Sequence, residues 1–416
     1  MKRTMIMLLV ILLLAAFSVS AQDDEPVTLR LASWQWEDAA YLPFWEGTTE
    51  AFMEEHPNVT IERFAFPIDQ LWDRINLEVA AGTPPDLIEV TGFNVYEYMN
   101  LGVLAPLNEC FEGTDIVEQV SGQDSYAVDE EGNIYALNLS SRTLALWINR
   151  PMFDAAGIDV PTNFEEFREA AITLTDPANE EFGLVLTNTA HSRFYEGVLL
   201  MVVGYGGHWT KDGEPAFTEP EVIQGVQFFK DLFDAGVMPQ GVDGAPSQYA
   251  FFNSGRVGMT IDGPWFWASM GEAAPEMQDN VEIHPISTDS QRPTGGPNNL
   301  IGIAADSPHY DIACEYIKSI ATPEWGQVWT NTSGTINPVE GAVTDTFLEE
   351  NPWFATFAED APNYVPVAAP GLEIYHGDMV NMINNKLVEV MYDDKPVEQA
   401  MEELQQEVEE YLEDQE

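Results

Sequence analysis

Tryptophan and arginine at the ends of short apolar runs are the residues of this chain with binding chemistry to offer. The densest case is Phe251 to Trp267, FFNSGRVGMTIDGPWFW. Val257 to Ile261 reads as a short buried strand, and Gly263 and Pro264 stop it and turn the chain. Trp265, Phe266 and Trp267 then stand at the strand's carboxyl end, where open α/β sheets bind ligands. An aromatic cluster there suits a ligand with a flat apolar face and a polar rim, such as a pyranose ring. The competing reading makes these rings core. Of the three, Trp265 is expected to meet the ligand, because the Gly-Pro corner can aim its ring outward. Other candidates rest on position alone. Trp34, Gln35 and Trp36 close the first strand, and Phe93 and Asn94 follow a buried one. Arg193 and Tyr195 open an apolar helix, and Tyr375 precedes a late one. Each is equally open to a packing role.

Catalytic signatures are missing from the sequence. There is no GxSxG elbow, P-loop, HExxH, CxxC or EF-hand loop, and the six histidines are scattered, so neither a metal site nor a cofactor is expected. A glycosidase needs two carboxylates flanking a cleft. With 70 acidic residues some pair arises by chance, and composition lends that reading no support. The same 70 acids stand against 16 basic residues, for a net charge of −54. Nucleic acid and anionic membrane surfaces are thereby disfavoured as partners. A saline or acidic exterior relieves the self-repulsion, by screening or by protonation.

Lys2 and Arg3, the apolar run Met5 to Phe17, and the small-residue box Val19-Ser20-Ala21 have the layout of a secretory signal peptide over residues 1–21. No cysteine follows the box, so a lipid anchor is not expected, and the protein is read as exported, periplasmic or extracellular. Cys110 and Cys314 are the two cysteines. An oxidising compartment permits a bridge, and two separate buried thiols fit the sequence equally well.

What positions these residues is an alternation of elements. Strands at 27–32, 59–63 and 86–90 alternate with helices at 41–55 and 68–81, which argues for βαβ units and a mostly parallel sheet. Strand-like runs at 132–137 and 143–148 enclose a polar segment, Asn138 to Arg142, where the chain is expected to leave a first lobe. Further helices are read at 161–174, 193–203, 219–235 and 312–321, and two more at 376–392 and 397–412. The chain is too long for one ordinary core, so two lobes are expected.

Five stretches stand out in order: AGTPPDLIEV with NLGVLAPL (81–90, 100–107), GNIYALNLSSRTLALWINRPMFDAAGIDVPTNFEEF (132–167), FNSGRVGMTIDGPW (252–265), GGPNNLIGIAADSPHYDIACEYIKSIATPEWG (295–326) and KPVEQAMEELQQEVEEYL (395–412). Together they resemble the extracellular solute-binding proteins of bacterial ABC importers, in particular the sugar-binding family that includes maltose-binding protein. The resemblance implies a two-lobe α/β periplasmic-binding-protein fold of type II character. Each lobe would be a mostly parallel sheet flanked by helices, joined at a hinge. Lobe 1 would span 22–139 plus 296–340, and lobe 2 would span 140–295 plus 341–416. It also implies a neutral carbohydrate ligand in the inter-lobe cleft, a monomer, delivery to the transmembrane subunits of an ABC permease, and no catalysis. By motif match Trp265 would stack on the sugar, Arg142 would donate to hydroxyls, Gly295 and Gly296 would admit ligand to the backbone, and Asn298 would add amide hydrogen bonds. The chain departs from the family at Ile148-Asn149-Arg150, where Tyr-Asn-Lys is frequent. The alternatives are a receptor for a polyamine or peptide, a sensor subunit, and a secreted glycoside hydrolase.

Overall fold

The computed structural model describes residues 25–415 apart from 93, 121–125, 130, 287, 289–294 and 362–364. The proposed signal peptide and Phe93 therefore lie outside the described residues. Among the described residues, twelve strands carry the architecture. They are β1 (Val27–Ala32), β2 (Val59–Phe64), β3 (Leu87–Thr91), β4 (Tyr126–Val128), β5 (Ile134–Thr143), β6 (Ala145–Asn149), β7 (Phe182–Val185), β8 (Thr210–Lys211), β9 (Glu214–Pro215), β10 (Val257–Asp262), β11 (Val281–His284) and β12 (Gly295–Ile303).

Two sheets organise two lobes: a six-stranded one in the order β2-β1-β3-β12-β5-β4 and a four-stranded one in the order β11-β6-β10-β7. The inner strands β3, β6 and β10 are buried along nearly their whole length, as strands covered on both faces are. In β6, Leu146 and Ile148 join one core while Ala145 and Trp147 join the core on the opposite face, as the two-residue period of a strand requires. Helices Leu42–Glu55, Tyr310–Ile320 and Pro323–Ser333 cover one face of the first sheet. Helices Ser192–Gly204, Pro220–Asp234, His376–Tyr392 and Val397–Glu413 cover one face of the second.

The two-lobe α/β expectation stands, but strand direction differs from it. β1 pairs parallel with β2 and β3, whereas β12 pairs antiparallel with β3 and β5, and β6 antiparallel with β10 and β11. The sheets are mixed because the strands that carry the chain between lobes run against the local βαβ strands. Asn138 to Arg142 form the last part of β5, the long strand of the first sheet, directly before the chain leaves that sheet. Ser140 Oγ donates to Asn299 Oδ1 at 3.0 Å, and the Ser141 backbone N–H donates to the Ile336 carbonyl at 2.7 Å. The chain passes to the second sheet at Leu144, returns between β11 and β12, and crosses again after Ile336. Val339 and Ala342 still belong to the first lobe's core, while Phe354 and Phe357 pack on the second sheet.

Cys110 and Cys314 are joined, with Cα atoms 5.6 Å apart. The bridge ties the short helix Asn108–Phe111 to helix Tyr310–Ile320, and so staples chain segments far apart in sequence within the first lobe. None of the described helices is long and apolar enough to cross a membrane.

Candidate functional site

Between the lobes lies a cavity of about 740 Å³. The first lobe contributes Trp34, Asp38, Tyr41 and Ser333 to its wall. Trp34 opens a single 3-10 turn, Trp34–Glu37, that leaves the end of β1. Ser33 caps it, its hydroxyl accepting from the Gln35 N–H at 2.9 Å. Three residues per turn separate the side chains of WQW. Trp34 faces the cavity, edge-on to Tyr41 with centroids 5.5 Å apart. Gln35 turns inward and accepts from Trp45 Nε1 at 2.8 Å, and Trp36 packs against Trp45 under the guanidinium of Arg63. Gln35 and Trp36 are thus core residues, a correction to their expected ligand contact. The indole N–H of Trp34 is buried with no acceptor among the described residues.

The second lobe's wall is charged and paired. Arg193 stands in the first turn of helix Ser192–Gly204, whose cap is His191, with Nδ1 accepting from the Arg193 N–H at 3.0 Å. Burial and the neighbouring Arg193 hold His191 below its ordinary value, which keeps the ring neutral and Nδ1 free to accept. Arg193 pairs with the fully buried Asp262 at 2.7 Å and donates to Tyr249 Oη at 3.0 Å. Burial opposes its charge, but Asp262 and Tyr249 outweigh burial and hold the guanidinium well above its usual range. One turn along the same helix face, Glu196 pairs with Arg142 from β5. Burial pushes the Glu196 carboxyl up despite Arg142 and Arg193, and its Oε1 is buried without a partner among the described residues.

Trp265 joins these pairs. Its Nε1 donates to Tyr249 Oη at 3.1 Å, and the Arg142 guanidinium lies 5.1 Å from its ring centroid. The Gly-Pro corner folds the indole back instead of aiming it outward. A Cβ on Gly263 would lie 2.1–2.4 Å from the benzo ring, so only glycine fits beneath it. Phe266 is fully buried, stacked on Tyr249 at 4.3 Å, and Trp267 stacks on Trp353 at 4.7 Å. Those two rings are packing.

The structure therefore gathers Trp34, Arg142, Arg193 and Trp265 around one cavity and leaves other candidates outside it. Tyr195 is buried, its hydroxyl donating to the Val367 carbonyl at 2.7 Å and its ring against His376. It is core, a second correction. Asn94 is spent locally, its Oδ1 accepting from the N–H and hydroxyl of Thr91. Tyr375 sits edge-on to Tyr411 in a turn that packs against the first lobe's helix Val95–Asn100, away from the cavity wall. Gly295 and Gly296 pair in register with Thr143 and Arg142, so they brace the crossing strand. The Asn298 side chain lies outside the described residues. Sequence reasoning missed Tyr41, Glu196 and Tyr249. The spacing of Arg193 and Glu196 on one helix was the available signal for Glu196. Tyr249 sits on helix Gly244–Asn253, whose Gly-Ala-Pro start hides it.

These two lobes and the walled cleft between them define a binding protein of the periplasmic type, and comparison with known proteins agrees. The profile of the bacterial extracellular solute-binding proteins matches residues 35–327, and the chain belongs to that family, whose members are binding proteins. It is similar to a maltotriose-binding protein of Pyrococcus abyssi, 23% identical over 400 residues, covering 93% of this chain and 83% of the relative. Among solved structures it resembles the GacH receptor of Streptomyces glaucescens, determined unliganded and with acarbose, at a TM-score of 0.80 and 20% identity, over 94% of this chain and 100% of that one. It also resembles an ABC transporter solute-binding protein of Thermotoga lettingae bound to α-D-tagatose, at a TM-score of 0.78 and 21% identity, over 92% and 97%.

Proposed function

We propose that this protein binds a neutral carbohydrate in the inter-lobe cavity and delivers it, outside the cytoplasm, to the membrane subunits of an ABC importer. The observation that carries this is the pairing of the charges in the wall. Arg142 faces Glu196 and Arg193 faces Asp262, so each arginine of the wall is paired with a carboxyl group and the pairs present donors and acceptors to hydroxyls. Trp34, Tyr41 and Trp265 add aromatic surface from both lobes. A polyol ring, with hydroxyls on its rim and C–H bonds on its face, matches both features. The Trp34 indole N–H and Glu196 Oε1 supply an unspent donor and acceptor, and leaving such groups unpaired is costly. Contacts to both lobes form together only when the lobes are closed, so ligand shifts the population toward closure, and the permease reads that form. The bridged cysteines accord with an oxidising compartment.

One observation favours a cationic ligand instead: Asp38 and Glu272 also face the cavity, with no basic partner among the described residues. A polyamine would meet them, but would also meet Arg142 and Arg193. A thermal-shift screen in high salt against mono- and oligosaccharides, polyamines and peptides separates the two. A ligand at 100 times its dissociation constant adds about 2.7 kcal/mol of stability. Stabilisation by saccharides alone supports the proposal, and stabilisation by polyamines or peptides alone replaces it.

A further inference from the structure

A carboxylic acid lies buried beneath the first lobe's wall. Glu89, at the middle of β3, is fully inaccessible. On the neighbouring strand-end its Oε2 hydrogen-bonds the hydroxyl of Ser33. On the other side its Oε1 accepts from Asn299 Nδ2 at 2.8 Å, and Asn299 Oδ1 accepts in turn from Ser140 Oγ at 3.0 Å. This chain of polar groups crosses the sheet from the end of β1, through β3 and β12, to β5. At one end is Ser33, cap of the turn that begins with Trp34. At the other is Ser140, two residues before Arg142. No basic side chain pairs with Glu89 among the described residues. Burying such a group in an apolar sheet is costly unless it is neutral and hydrogen-bonded, and the role of wall residues does not explain it.

We propose that Glu89 is a positioning residue of the cleft: through Ser33 and Asn299 it fixes the Trp34 turn relative to the crossing strand that carries Arg142. The Ser33 hydroxyl is hydrogen-bonded to Glu89 Oε2 and accepts from the Gln35 N–H. The neutral acid can share its proton with Ser33 Oγ, whereas the ionised form accepts only, so Ser33 then donates to it while still accepting from Gln35, and a negative charge acts on the Trp34 turn through that hydroxyl. Burial pushes Glu89 up to about 8, against the lowering effect of Ser33 and Asn299, which puts this change near neutral to alkaline pH. The helices on this face of the sheet bring two tyrosines, Tyr41 and Tyr316. Asp38 and Glu89 act on Tyr41, and Tyr316 is turned to Thr48. Burial, followed by Asp38 and Glu89, raises Tyr41, so the phenol stays neutral over the range in which Glu89 titrates.

The inference rests on the cavity being the ligand site only for its consequence, and its test needs no ligand. The purified protein is labelled with 5-fluorotryptophan, the Trp34 resonance is assigned from Trp34→Phe, and fluorine spectra are followed from about pH 5 to about pH 10. In the wild type the Trp34 resonance is expected to move with a midpoint near 8, while that of the core residue Trp209 stays fixed. In Glu89→Gln, which mimics the neutral acid, Trp34 should hold its low-pH position throughout. Ser33→Ala, which cuts the link and leaves the Glu89 carboxyl in place with its Asn299 partner, should abolish the shift as well and serves if Glu89→Gln does not fold. A wild-type Trp34 resonance that does not titrate, or one that titrates equally in either variant, overturns the proposal. Neither result bears on whether a carbohydrate binds.

Discussion

The two walls of the cleft keep buried carboxyl groups by different means. In the second lobe Asp262 is inaccessible and faces Arg193, with Tyr249, Gln248 and the Gly263 N–H filling its remaining acceptor positions. In the first lobe Glu89 has two neutral partners and burial holds its proton on. A cation and a proton are the two available remedies for a carboxylate out of water. They differ in consequence: the ion pair fails if one partner is removed, whereas the protonated acid tolerates neutral substitution but answers to pH.

Removing one partner should therefore hurt the second lobe most. Arg193→Met strands Asp262 and is expected to cost about 3–5 kcal/mol of stability, read as a lowered thermal midpoint. Arg193→Met combined with Asp262→Leu should recover much of that loss. Equal losses in the single and double variants would break the contrast.

The pH dependence comes next and has opposite signs in the two lobes. Glu89 keeps its proton in the folded state up to about 8, whereas the unfolded chain releases it near the ordinary carboxyl value. Its contribution thus falls as pH rises from about 4.5 to about 8, by a few kcal/mol at most. His376, buried in the second lobe near His208, is held down to about 4 by burial and then by His208. The unfolded chain takes up that proton near 6.5, so the second lobe loses stability as pH falls from about 6.5 toward 4. Unfolding midpoints across pH should show Glu89→Gln removing the decline between about 4.5 and about 8, and His376→Gln removing the decline from about 6.5 toward about 4. A swap of those effects would contradict the assignment.

Smaller effects sharpen the picture. Cys110→Ser should lower first-lobe stability by about 2–4 kcal/mol, visible by differential scanning calorimetry as a shift in the first lobe's unfolding with the second lobe's retained. Ser33→Ala removes the cap of the Trp34 turn and should cost about 0.5–2 kcal/mol, measurable by denaturant unfolding.

Much of this was legible in the sequence, for identifiable reasons. The alternation of strands and helices announced the α/β lobes, and strand ends pointed to Trp34 and Trp265. Arg142 came from the family resemblance of the crossover segment, and Arg193 from its place at a helix start. What failed did so where side-chain direction, not position, decides the outcome. Nothing in WQW tells which indole a 3-10 turn will expose, and Tyr195 differs from Arg193 only by facing the other side of its helix. That Asn138 to Arg142 continue the strand β5 was not legible, because their partners, Asn299 and Ile336, are remote in sequence. The same remoteness hid strand direction, since antiparallel pairing of β12 follows from how the chain returns between lobes.

The central claim, a neutral sugar held against Trp265 between the lobes, is tested most directly by calorimetric titration of the saccharides that stabilise the protein, on the wild type and on Trp265→Ala. Losing the indole should cost about 1–3 kcal/mol of binding, a weakening of roughly 5- to 150-fold, with the Trp265→Ala protein still folded. Saccharide binding left unchanged by both Trp265→Ala and Trp34→Ala would place the ligand elsewhere and contradict the account.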